Sequence, residues 1–136
     1  MIEINNLTDF KIDKKFFRNI AQKILLEENK KNKTFSVAFL SKDDIKKLNK
    51  KFRNKNKPTD ILSFKIEEGD YLGEIIICPE IVKENAKIYK ESFKNEMKNI
   101  FIHGVLHLLD YEHEKSRKEA KIMEEKQQYY FKKIKN

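Results

Sequence analysis

The sequence predicts an α+β fold: a short mixed sheet packed with about five helices, in one small domain spanning residues 1–136. Three observations carry this expectation. Strand-like patterns crowd the first 78 residues, and apolar residues at helical spacing fill the remainder. No repeat, Gly/Ser-rich linker or composition break divides the chain. At 136 residues the chain can build one core without disulfide or metal staples.

Taken in order, Met1 to Asn5 reads as a short strand. Asp13 precedes a helix whose Phe16, Phe17, Ile20, Ala21 and Ile24 share one face. Phe35, Val37 and Phe39 alternate as in a strand. Ser41 is the expected N-cap of the next helix, with Asp43 and Asp44 where the helix dipole favours carboxylates. Ile45, Leu48 and Phe52 continue that helix. Lys50 to Asp60 is the most polar connection, read as a loop with Pro58 as its helix stop. Ile61 to Phe64 is a short strand, and Tyr71 to Cys78 a central one, because its Ile run is too apolar for a half-wet strand. Pro79 opens a helix, with Glu80 near its start. Helices then occupy roughly Glu80 to Leu109, with a break near Glu91 or Ser92. The last helix covers about Lys115 to Lys133, with Ala120, Met123, Gln127, Tyr130 and Ile134 on one stripe.

Composition narrows the class. Lys and Arg number 30 against 22 Asp and Glu, a net +8. Excess positive charge favours an anionic partner such as nucleic acid. Only Arg18, Arg53 and Arg117 are arginines, however, and a Lys-, Asn- and Ile-rich chain also follows from AT-rich coding, so charge alone carries no such conclusion. The 10 Phe and many Ile exclude a disordered polyampholyte. No apolar run approaches the ~20 residues of a membrane span, and the N-terminus lacks a signal-peptide pattern, so no membrane partner is expected. The single cysteine, Cys78, excludes an internal disulfide, suits a reducing cytoplasm and reads as a buried, inert thiol.

The chemistry concentrates in FIHGVLHLLDYEHE, which holds all three histidines, His103, His107 and His113. His103 and His107 are i and i+4, so a helix stacks them on one face. A continued helix would turn His113 away from them, so the three converge only if the helix stops near Asp110 and Tyr111. A reversal there calls for positive φ, which Asp tolerates. Ile100 to Leu109 is apolar around most of its circumference, while Glu96, Asn99, His103, His107 and Asp110 line one side. A helix of that kind is buried, and its histidines are expected to be buried and to need partners. Three neutral imidazoles suit one Zn²⁺ per chain and leave a fourth position for water, as in catalytic rather than closed structural sites. Zinc lowers the pKa of bound water toward neutrality. The His-x3-His-x5-His spacing resembles that of metzincin proteases, but their general-base Glu after the first His is here Gly104, which argues against a protease.

HGVLHLLDYEH, His103 to His113, resembles the signature His-Gly-x-Leu-His-Leu-x-Gly-Tyr-Asp-His of the YbeY family, bacterial single-strand-specific metallo-endoribonucleases of ribosomal RNA maturation. Leu48 to Phe64 resembles that family's second signature and Leu72 to Glu80 its third, in family order. The resemblance implies one zinc on His103, His107 and His113, at the end of a buried helix. It implies a catalytic arginine, here Arg53, and RNA as the partner. It also implies cytoplasmic work on the small ribosomal subunit: maturing the 3′ end of its rRNA and late ribosome quality control. Two positions depart from the signature: Asp110 replaces its second Gly and Glu112 its Asp.

The residues support Arg53 independently. Lys50, Lys51, Arg53, Lys55 and Lys57 gather five cations in eight residues, and a guanidinium can grip phosphate bidentately. Asp60 is a candidate for orienting a ligand histidine, or else makes an Asx-type turn after Pro58. Asp110 and Glu112 are further candidates for that outer role. The attacking group is either water or a ribose 2′-hydroxyl. Two other classes remain open on sequence: a zinc hydrolase of a peptide or amide, and a non-enzymatic ribosome-assembly factor with a mainly structural zinc.

Overall fold

The computed structural model describes residues 2–111 and 116–136. Its elements are β1 (Glu3–Asn6), α1 (Lys14–Glu27), β2 (Thr34–Phe39), α2 (Lys42–Arg53), β3 (Ile61–Glu68), β4 (Tyr71–Ile77), α3 (Pro79–Ile88), α4 (Phe93–Leu108) and α5 (Arg117–Lys133). Side-chain oxygens mark four helix starts. Asp13, Ser41, Ser92 and Ser116 each accept a hydrogen bond from the backbone N–H three residues on, at 3.0–3.2 Å. Pro79 sits in the first turn of α3, where its missing N–H costs nothing.

The four strands form one sheet in the order β1-β2-β4-β3. β1 runs parallel to β2 and β2 parallel to β4, while β3 and β4 are antiparallel. β4 therefore lies inside the sheet, as its apolar run requires. Its alternate residues serve two cores. Ile75 and Ile77 face the larger one, with Val37 of β2, Phe17 and Ile20 of α1, and Phe101, Ile102 and Val105 of α4. Ile76 and Cys78 face the smaller one, with Leu62 of β3 and Ile45 of α2. The mixed sheet thus has α2 on one face and α1 and α4 on the other, the α+β fold expected. Cys78 is buried, and burial pushes its thiol pKa up, so it is inert.

Two boundaries differ from expectation. β3 continues past Phe64 to Glu68, because its outer half pairs with β4 by backbone bonds while its side chains stay exposed. Hydrophobic alternation cannot report such a segment. In this hairpin Gly73 is at φ +148, and a Cβ there would meet the Phe64 carbonyl oxygen at 2.0 Å. Arg53 is the last residue of α2, not part of a loop. The stop is Asn54, left-handed at φ 56, whose N–H bonds the Lys50 carbonyl at 3.0 Å. Pro58 only follows it.

Lys98 fixes α5 against α4. It is buried, and its ammonium donates to the carbonyls of Phe131, at 2.7 Å, and Ile134. Those carbonyls end α5 and have no partner within the helix. No helix among the described residues is long and apolar enough to cross a membrane.

Candidate functional site

The histidine helix α4 lies in the larger core. Met97, Phe101, Ile102, Val105, Leu106 and Leu108 are buried around most of its circumference. Gly104 allows the close approach to the sheet. A Cβ there would stand 2.8 Å from Ile61 Cδ1 and 3.3 Å from Ile75 Cδ1. The side away from Phe101, Val105 and Leu108 carries Asn99, His103 and His107. His103 and His107 are half-buried rather than buried, because this stripe borders the seam with α5 instead of the sheet. Their ring centroids are 5.9 Å apart, with planes at 83°.

His103 has a built orientation. Its Nδ1 lies 2.8 Å from Gln127 Oε1 of α5. Gln127 Nε2 donates in turn to Asn99 Oδ1 at 2.9 Å. An amide oxygen only accepts, so this contact calls for a ring proton on Nδ1 and leaves Nε2 as the nitrogen available to a metal. Outer partners of metal-ligating histidines act in this way. Sequence reading placed Gln127 on the core stripe of α5 and missed the role. The signal was there: it is the one amide among Ala120, Met123, Tyr130 and Ile134.

The helix ends where the histidine spacing demands. Asp110 N–H bonds the His107 carbonyl at 3.2 Å, and Tyr111 N–H bonds the Leu106 carbonyl at 3.1 Å, the Schellman pattern. Asp110 is left-handed, at φ 73, as expected from its place in the sequence. Its carboxylate pairs with Lys65 Nζ of β3 at 2.8 Å, and this bond holds its pKa below the usual carboxylate range. Asp110 is thus a helix terminator bonded to a lysine, not an imidazole partner of His103 or His107. The pair is largely exposed and contributes little. Asp110→Gly is therefore expected to melt within a few degrees of wild type. Asp110→Val is expected to lose about 1 kcal/mol or more, since a β-branched residue resists positive φ. Equal melting temperatures for Gly and Val would contradict this.

Tyr111 is tied down beyond the turn. Its hydroxyl donates to Glu28 Oε1 at 2.7 Å, while Tyr130 and Lys126 of α5 donate to the other oxygen, Lys126 at 3.0 Å. Burial opposes the charge on Glu28, and these three donors outweigh it, holding the carboxyl below the usual range. Glu28, at the end of α1, was not singled out in the sequence. His113 and Glu112 lie outside the described residues.

Among the described residues, neither Arg53 nor Asp60 is bonded to an imidazole. Arg53 is exposed and makes no hydrogen bond or ion pair to another described residue. Lys57, in the same basic segment, is anchored by its carbonyl, which accepts from Asn49 Nδ2 at 2.9 Å. Asp60 accepts from Thr59 Oγ1 at 3.3 Å, and its carbonyl from Cys78 N–H at 2.9 Å. It faces the N-terminal part of the α4 stripe. Burial, then the charges of Asp60 and Glu91, push the Glu96 pKa up. Among the described residues no group of three or more His, Cys, Asp or Glu is placed to hold a metal ion; the third expected ligand is not among them.

Fold and site together define a small α+β domain in which a sheet-packed helix offers a histidine stripe to a groove. A solution structure from Thermotoga maritima has this architecture, with a TM-score of 0.68 at 40% identity over 96% of this chain and 87% of that one. The chain belongs to the YbeY family: the family model described as Endoribonuclease YbeY matches residues 3–135. It is 42% identical over 125 residues to the Endoribonuclease YbeY of Thermotoga neapolitana, covering 90% of this chain and 83% of that protein. It is 39% identical over 129 residues to the Endoribonuclease YbeY of Aliarcobacter butzleri, covering 92% and 88%.

Proposed function

We propose that this chain is a zinc-dependent, single-strand-specific endoribonuclease. In this reading it works in the cytoplasm on the small ribosomal subunit, maturing the 3′ end of its rRNA and serving late ribosome quality control. The observation that supports it most is the His103–Gln127–Asn99 network on the α4 stripe of a chain in this family. A ligand imidazole needs a fixed tautomer and ring plane, and a solvated surface histidine does not.

The donor set suits zinc. Two imidazoles one helical turn apart share a face, and the left-handed Asp110 ends α4 three residues before His113. His103, His107 and His113 would hold the ion. When bound, it supplies Lewis acidity and makes a hydroxyl nucleophile available at neutral pH. Gln127 keeps the proton on Nδ1 of His103. Gly104 presses the helix on the sheet and so fixes the stripe. Arg53, with Lys50, Lys51, Lys55 and Lys57, gathers the phosphate backbone, and its planar fork stabilises the charge that builds up as the phosphodiester is attacked.

Metal content by mass spectrometry, followed by cleavage of single-stranded RNA with and without chelator, tests the reading. One zinc per chain and chelator-sensitive cleavage are expected. A zinc-free, folded protein that still supports ribosome assembly would favour the non-enzymatic class. For Arg53, the expected result is that Arg53→Ala melts normally and keeps zinc, yet cleaves at least about tenfold more slowly, a loss of roughly 1.4 kcal/mol in the transition state. Arg53→Lys should recover only part, because an ammonium lacks the fork. Unchanged cleavage in Arg53→Ala would place the guanidinium outside the reaction.

A further inference from the structure

The α4–α5 groove extends beyond His103. A section of about 460 Å³ is lined by Asn99, His103, Met123, Gln127 and Gln128. A second section, of about 390 Å³, shares Asn99 and Gln128 with it and adds Tyr89, Glu96, Phe131 and Lys132. Glu96 is the unusual member. It is only 8% exposed, yet its carboxyl takes no hydrogen bond or ion pair from any described residue. No fully enclosed side-chain oxygen lacks a partner among the described residues, so the Glu96 oxygens open on the cavity they line.

The other polar groups of this section are mostly committed. Asn95 donates to Glu91 at 3.0 Å and accepts from Asn136 at 2.9 Å. Asn99 Oδ1 accepts from Gln127, which leaves its Nδ2 as a donor. Side by side on α4, Glu96 and Asn99 therefore present two carboxylate acceptors and one amide donor to a cavity that Glu91, the Gln128 amide and the Lys132 ammonium also line. Phe131 and the 67% exposed Tyr89 border them as aromatic surface, with the Lys132 ammonium beside Phe131 in the sequence.

We infer that this cavity is a nucleobase subsite for an unstacked guanine of single-stranded RNA, with Glu96 accepting from N1–H and the N2 amino group and Asn99 donating to O6. The inference rests on the endoribonuclease reading and adds to it a base preference on one side of the histidines. Guanine alone among the RNA bases presents two adjacent donors and one acceptor on its Watson–Crick edge. Adenine and cytosine each present a ring nitrogen acceptor where Glu96 needs a donor. Aromatic walls supply the stacking by which proteins hold splayed RNA bases. Burial and the negative charges of Asp60 and Glu91 make the empty carboxylate costly, and two base N–H groups relieve that cost.

The test titrates GMP, IMP and AMP into the full chain, following side-chain amide NMR signals of Asn99 and Gln128. GMP is expected to bind at least tenfold more tightly than AMP. IMP, which lacks the N2 amino group, should bind several-fold more weakly than GMP. Glu96→Gln should lose at least tenfold of GMP affinity while keeping its fold and its cleavage of guanine-free single strands. Equal or tighter AMP binding, or unchanged GMP affinity in Glu96→Gln, overturns the subsite. The IMP comparison needs no variant and decides the matter should Glu96→Gln fail to fold. A wild type that cleaves single strands but does not prefer GMP sinks the subsite alone. One that prefers GMP but cleaves no RNA sinks the endoribonuclease reading instead.

Discussion

Replacing His103, His107 or His113 with alanine is expected to leave a folded chain with most of its zinc gone. Cleavage of single-stranded RNA should fall by more than roughly 100-fold, about 2.7 kcal/mol of transition-state stabilisation. Two imidazoles hold zinc far more weakly than three, and a weakly held ion is lost on purification. Folding should survive, because both described histidines sit on the half-buried stripe and not among the core side chains that hold α4 to the sheet. Mass-spectrometric zinc content and a thermal melt separate the two effects. Near-stoichiometric zinc in His113→Ala would end the three-ligand model.

A larger effect on stability is expected at Gly104. Gly104→Glu restores the sequence that a metzincin protease would need, and it should cost more than about 4 kcal/mol. The position after His103 faces the sheet, with Ile61 and Ile75 in the way of even a Cβ. A carboxylate there would enter the larger core without a partner. The helix would have to rise off β3 and β4, carrying His103 with it. A chemical melt reads the loss directly, and wild-type stability in Gly104→Glu would show that α4 is not seated as described. The same geometry strengthens the case against a protease. In this fold the space a side chain at residue 104 would need is filled by Ile61 and Ile75, so the general base of that class could stand there only if the helix moved.

What was legible in the sequence was local. Ser41 and Ser92 announced helix starts, because a short hydroxyl before an apolar run satisfies backbone N–H groups whatever the tertiary fold. The left-handed Asp110 followed from a counting argument: residues 103 and 107 share a face and residue 113 cannot join them without a reversal. The Ile run of β4 announced a strand covered on both sides. What was not legible was pairing across the chain. Gln127 reaches His103 over 24 residues, and its amide looked like a blemish on an apolar stripe. Glu28 reads as one more surface carboxylate until α5 and the turn after α4 come to rest on it. Arg53 was assigned to a loop because Pro58 offered an obvious stop. The left-handed Asn54 had ended the helix already, through a conformation that Asn adopts at little cost and that a polar tract does not advertise. Burial of Glu96 was hidden for a related reason: a carboxylate inside the first turn of a helix is the normal expectation for a solvated one.

The placement of Gln127 has a consequence for the order in which the chain is made. Synthesis is vectorial, and domains fold as their segments emerge. The sheet and α4 are complete in sequence before α5 begins, so an emerging chain already carries His103 and His107 on a helix that can dock. Until α5 appears, the Gln127 bond to His103, the Tyr130 and Lys126 bonds to Glu28, and the carbonyl partners of Lys98 do not exist. The last helix is therefore the element that completes the bonds around the histidine stripe and the turn after it. The histidine-bearing helix is thus made well before the contacts that fix it.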